Sequence, residues 1–204
     1  MSTTSVLIEH LLSGIQAMAW FTLLTLSIFG FEWIDPEKFK GFETALSFAS
    51  LAIIYPLGVF MDNLSDTILS KRVKKLKIRH IKNEKLNIGY VLDAASGPLR
   101  EYFTYIRMKI RICRVTFLNF ILITITLVFF TLIRLNSLVN DSDSMISIVF
   151  WEIATGLFII LFALWNWNAI TNNYYEKAAK EIEKLGLDKI NDDQVVPVSA
   201  TRLK

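Results

Sequence analysis

Charged side chains are absent from four stretches of this chain, residues 11–31, 44–61, 115–133 and 153–175, and they crowd between the second and third. Crossing the hydrocarbon of a bilayer takes about 20 mostly apolar residues in helical form, because each backbone amide there must be satisfied within its own segment. All four stretches meet that length. The pattern therefore predicts an all-α, polytopic membrane protein with four transmembrane helices. The first stretch contains Ala17-Met18-Ala19, which has the small-x-small form of a signal cleavage site. A signal peptide needs a cationic leader, whereas the segment before this run carries Glu9 and no Lys or Arg. It reads as a permanent helix.

Helix 1 is expected from near Ser5 to just before Pro36, with Trp33 at the outer interface. Helix 2 begins near Phe42 and contains Pro56, which removes a backbone donor and should kink it. Nothing between Met61 and His80 breaks a helix, so helix 2 should continue out of the membrane. Its continuation carries Leu69, Val73 and Leu76 on one stripe among lysines, which is helical amphipathicity. Ser96-Gly97-Pro98 is a start signal, since Pro98 suits the first helical position. From Leu99 to Ile133 the chain can form one helix about 50 Å long at 1.5 Å per residue. Residues 86–96 are the turnaround, and residues 66–112 make a helical hairpin projecting from the membrane.

Residues 140–144 read as a short turn before helix 4. Trp165, Trp167, Tyr174 and Tyr175 then mark a headgroup interface, where amphipathic rings settle. Residues 176–185 suggest a separate amphipathic helix with Ala178, Ile182 and Leu185 on one face, stopped by Gly186. Beyond it, Val195-Val196-Pro197-Val198 is an apolar string in a polar tail. The organisation expected is a transmembrane domain over 1–175, hairpin included, and a tail over 176–204.

Orientation follows from the loops. Between the second and third runs lie Lys71, Arg72, Lys74, Lys75, Lys77, Arg79, Lys82 and Lys85, then Arg100, Arg107, Lys109, Arg111 and Arg114. The first connection sets Lys38 and Lys40 against Glu32, Asp35, Glu37 and Glu43, and the last sets Arg134 against Asp141 and Asp143. Lys and Arg stay on the cytoplasmic side. The basic hairpin and both termini are therefore expected in the cytoplasm.

Composition agrees with this picture and narrows the chemistry. Of 204 residues 53% are hydrophobic and the mean hydropathy is +0.43, more apolar surface than a soluble globule of this size can hide. One cysteine, Cys113, rules out an internal disulfide framework, and two distant histidines, His10 and His80, speak against zinc. There is no HExxH, no phosphate-binding loop, no Gly-rich nucleotide fingerprint and no Ser/His/Asp set. The chain is read as non-enzymatic and without a cofactor.

The residues singled out are polar ones in or near lipid. The cluster Lys71, Arg72, Lys74, Lys75, Lys77, Arg79, Lys82 and Lys85 enforces orientation and lies among anionic headgroups, each cation contributing about 1 kcal/mol. It also offers a surface to an acidic protein partner. No aromatic residue is interleaved between 71 and 85, which counts against single-stranded nucleic acid. Asp62 and Asp66 share one face near the end of helix 2, at the depth of Arg107, Arg111 and Arg114 on helix 3, and opposite charges there should pair. Glu9 and Glu152 flank apolar runs and can reach an interface, although Glu152 can also face a polar axis between helices or subunits. Gln16, Asn119 and Glu152 are the candidates for interhelical bonds or for lining a pore. Gly14, Ala17, Gly30, Ala154 and Gly156 permit close helix contact, but no GxxxG pair selects a face.

Three function classes fit: a scaffold or sensor acting on a cytosolic protein, an oligomeric pore, and a small transporter. Four helices enclose little volume, so conduction or transport requires several copies. The scaffold is favoured because the polar mass lies on one side. In layout the chain resembles the KwaA membrane subunits of the bacterial Kiwa antiphage defence system. The resemblance rests on the four runs 11–31, 44–61, 115–133 and 153–175 with the basic loop between the second and third. It implies a multi-pass inner-membrane homo-oligomer, a tetramer, that senses phage infection and regulates a cytosolic effector.

Overall fold

The computed structural model describes residues 3–31, 41–81, 88, 97–135 and 142–185. Four long helices carry nearly all of them: α1, Thr3–Phe29; α2, Glu43–His80; α3, Gly97–Phe130; and α4, Ser142–Lys184. Each is long and apolar enough to cross a membrane. The tip 86–96 apart from Ile88, the connection 32–40 with Trp33, residues 136–141, Lys82, Lys85 and the end of the chain with Val195-Val196-Pro197-Val198 lie outside the described residues. Of the turn expected over 140–144, residues 142–144 instead form the first turn of α4.

Local sequence sets the helix ends. α1 stops at Gly30, which has a φ of +76° and donates its N–H to the Leu26 carbonyl at 2.9 Å. That left-handed conformation favours glycine, which has no Cβ to clash. α2 runs through Pro56 and continues to His80, past its apolar stretch, as its stripe predicts. α3 starts at Gly97, beside the expected Pro98 signal, and widens into a π-helical turn over Thr131–Leu135.

α1 packs along α2 and α3, and α3 packs along α4, with lighter contact from α2 to α3 and α4. The α1–α2 crossing is closed by two glycines. A Cβ added to Gly14 would lie 1.9 Å from the Ile54 carbonyl oxygen, and one added to Gly58 would lie 1.9 Å from that of His10. Ala17 is buried in the same seam beside Met61, Val115 and Leu118. Gly156 plays the same part between α4 and Thr124 of α3.

Two sequence expectations are corrected in α4. Residues 176–185 are no separate helix. α4 crosses position 175 without a break and runs on to Lys184. Its stripe Ala163, Trp167, Thr171, Tyr174, Ala178 and Ile182 is buried throughout, at a spacing of three to four residues that keeps one face toward a partner. Leu185, expected on that face, is exposed. Trp167, Tyr174 and Tyr175 accordingly point into the protein, and of the four rings assigned to a headgroup belt only Trp165 is exposed, at 66%.

The continuations of α2, α3 and α4 share a core of their own. Ile81, Phe103, Tyr174, Tyr175, Ala178 and Ile182 cluster there, flanked by Val73, Leu76, Leu99, Ile106 and Ile110. Phe103 is fully buried, its ring edge-on to Tyr174 at 5.5 Å. The helices thus leave their apolar spans as one packed three-helix unit.

Candidate functional site

The densest polar cluster lies where this three-helix unit meets the apolar spans. Asp62, Ser65 and Asp66 occupy one face of α2 because residues three and four apart are neighbours on a helix. Arg114 of α3 reaches all three. Its Nε donates to Ser65 Oγ at 2.9 Å, Nη2 to Asp62 Oδ1 at 2.7 Å, and Nη1 to Asp66 Oδ1. Only 6% of the Arg114 side chain is exposed, against 15% for Asp62 and 61% for Asp66. One wall of the clamp is therefore dry and the other wet. A planar fork of donors suits such a set better than an ammonium would.

The expected pairing of Asp62 and Asp66 with α3 is thus present, among the described residues through Arg114 alone. Arg111 turns to α1, with Nη1 at 3.5 Å from Glu9 Oε2, and Glu9 is buried rather than placed at an interface. Oε1 of Glu9 has no hydrogen-bond partner among the described residues. Arg107 makes no ion pair among the described residues. It lines a cleft of about 350 Å³ with Asp66, Arg111, Thr171, Tyr174 and Tyr175. The Thr171 hydroxyl, fully buried at the cleft wall, is also unpartnered among the described residues.

A second cluster joins α1 to α3 deeper in the spans. The Asn119 amide donates to the Ser13 carbonyl at 3.1 Å and to Gln16 Oε1 at 3.3 Å. Gln16 Nε2 donates to Thr116 Oγ1 at 3.2 Å, and Trp20 Nε1 to Asn119 Oδ1 at 3.2 Å. Gln16 and Asn119 are consumed in interhelical bonds. Glu152 does not join them, for it accepts a 2.6 Å bond from Thr131, about 18 Å further along α3. Its second oxygen is buried without a partner among the described residues. The three candidates for a common axis form two separate sites.

The π-helical turn explains both Thr131 and Arg134. Arg134 donates to the last carbonyls of α1, Nε to Ser27 O at 3.0 Å and Nη2 to Ile28 O at 2.7 Å. These groups have no intrahelical partner, and they carry the negative end of the helix dipole. Sequence reasoning gave Arg134 no such role, because its partner lies 107 positions away.

The cations of the α2 continuation sit differently from one another. Lys71, Arg72, Lys74, Lys75 and Arg79 are exposed, while Lys77 is half-buried. Arg72, Lys75 and Arg79 line a cleft against α4, closed at one end by a 2.8 Å bond between His80 Nε2 and Asn172 Oδ1. No group of three or more His, Cys, Asp or Glu side chains that could hold a metal occurs among the described residues. Chemically, the arrangement clamps helices together and presents cations. Comparison with family models, curated proteins and solved structures finds no match to this chain.

Proposed function

We propose that this protein is a non-enzymatic, oligomeric scaffold or sensor of the bacterial inner membrane that recruits or regulates a soluble cytosolic effector. The observation that carries the reading is the packed three-helix continuation of α2, α3 and α4. Its core around Phe103, Tyr174 and Ala178 makes it a rigid platform, and its outer surface carries Lys71, Arg72, Lys74, Lys75 and Arg79. The positive-inside rule puts that platform in the cytoplasm. Rigid, charged surfaces select partners by electrostatic complementarity, so an acidic protein is the partner of choice. The resemblance in layout to the KwaA subunits implies a homo-oligomer, a tetramer, and a role in antiphage defence, which this proposal adopts.

A pore is the second reading, and Glu152 favours it. An α3–α4 groove of about 520 Å³, walled by Phe120, Leu127, Trp151 and Ile159, holds this carboxylate with one oxygen unpartnered among the described residues. A second subunit packed there would give a ring of carboxylates, as cation pores use.

Affinity purification of the tagged chain from its host in mild detergent, with mass analysis of the intact complex, tests both. A stoichiometric soluble protein on a defined oligomer is expected. Its recovery should fall when the cations of residues 71–85 are neutralised in a variant that inserts normally. An oligomer without a soluble partner, with ion flux through reconstituted vesicles, sinks the scaffold and favours the pore.

A further inference from the structure

The strongest unassigned feature is the cleft of about 470 Å³ between α2 and α4. Arg72, Lys75 and Arg79 line it from α2, and Trp165, Asn168 and Asn172 from α4. Both sets follow the i, i+3, i+7 spacing of one helix face. The two helices run in the same direction, each packing antiparallel to α3, so Arg72 lies level with Trp165 and Arg79 with Asn172. Lys74 and Lys77 have partners of their own. The side chains of Arg72, Lys75 and Arg79 have no anionic partner among the described residues.

What meets the cleft from the apolar side is equally specific. Phe158 and Phe162 stack at 6.5 Å with planes 15° apart, and Phe162 meets Trp165 at 6.0 Å. All three rings are more than half exposed, as is Ile68, one turn before Arg72 on α2. An exposed aromatic rail on α4 thus ends at a tryptophan, and beside and beyond it three cations and two amides line the cleft. Tryptophan settles at headgroup depth, and basic pockets between membrane helices hold phosphate headgroups.

We propose that this cleft binds one anionic phospholipid. Its phosphate sits between Arg72, Lys75 and Arg79, and an acyl chain lies along Trp165, Phe162 and Phe158. A free phosphate would use the cations and leave the rail idle. The site rests on none of the partner argument above.

The test is a titration of the full detergent-purified chain, followed by mass analysis of intact lipid adducts and by thermal unfolding. The probes are phosphatidylglycerol, phosphatidylcholine and inorganic phosphate. One tight phosphatidylglycerol adduct is expected, with a matching rise in Tm, and phosphatidylcholine should bind far more weakly. The triple change Arg72→Gln, Lys75→Gln, Arg79→Gln should weaken that adduct roughly 100-fold, since each cation near a headgroup contributes about a factor of five. Trp165→Ala should weaken it without altering the charge. A control triple, Lys71→Gln, Lys180→Gln, Lys184→Gln, removes as much charge outside the cleft and should bind normally. All these side chains are exposed, and Lys180 and Lys184 lose only surface pairs with Glu176 and Glu181, so the variants are expected to fold. Equal binding of the two lipids, or equal loss in the control, overturns the site. Displacement by inorganic phosphate at the lipid's own concentration assigns the cleft to free phosphate and overturns the lipid reading.

Discussion

Arg114 is the residue on which most of the buried charge depends. Breaking a buried pair by removing one partner costs about 3–5 kcal/mol, because the charge left behind is uncompensated. Arg114→Gln abandons two carboxylates one turn apart, Asp62 among them at 15% exposure. Thermal unfolding in detergent is expected to show a loss of that size, and Arg114→Lys should recover only part of it, since an ammonium cannot reproduce the planar fork. By contrast Asn119→Ala removes neutral interhelical bonds, worth about 0.6–1.7 kcal/mol in a membrane. If Asn119→Ala proves the more damaging, the clamp is not what holds α2 to α3. The clamp was half legible in the sequence. Depth brought Asp62 and Asp66 level with three arginines, but helix rotation chose Arg114, and that angle has no trace in residue spacing alone. Glu9 was read as an interface flank for a similar reason, because Arg111, the cation that makes its burial tolerable, lies 102 positions away.

At the scale of elements, runs without charge located four helices, and Gly97-Pro98 and the stripe Leu69, Val73, Leu76 located their extensions. The continuity of α4 was missed because its rings also suit a headgroup belt. The spacing Ala163, Trp167, Thr171, Tyr174, Ala178, Ile182 was the available signal, being one buried face carried across the expected boundary. How elements meet was least legible, since no GxxxG pair marks the α1–α2 seam. The crossing uses one glycine from each helix instead, and each faces a carbonyl. Gly58→Ala should therefore push α1 away from α2 at a cost of about 3 kcal/mol, the upper end for overpacking. Gly41→Ala is the informative contrast, for a Cβ there meets nothing within 4 Å and the cost comes from a φ of +91° alone. Cysteine cross-linking between α1 and α2 would report the separation, and unchanged cross-linking in Gly58→Ala would refute the close seam. Arg134→Ala should fray the end of α1 for about 1–2 kcal/mol, the size of a favourable charge–dipole contact. Faster amide exchange confined to the last turn of α1 is the expected sign.

In the molecule as a whole, two structural regimes are joined at Arg114. The apolar spans bury little within one chain. Phe48, Phe60, Ile125, Leu157 and Phe158 are all about half exposed or more, as lipid-facing or subunit-facing surface must be. Beyond the apolar spans the three-helix unit instead buries its own apolar residues, around Phe103. Two regimes with separate cores imply separate loss of order. Phe103→Ala should cost about 3–5 kcal/mol, and the cost should fall on the unit that contains it. Hydrogen exchange is expected to quicken at residues 99–106 and 174–184 and at the end of α2, while amides of α1 near Asn119 keep their protection. On the function proposed above, the oligomer in detergent should survive and the soluble partner it recruits should be lost. That combination separates a platform from a mere structural cap, because a cap would loosen without altering what co-purifies. Should exchange quicken equally in α1, the chain is one cooperative unit and the platform is not an independent element.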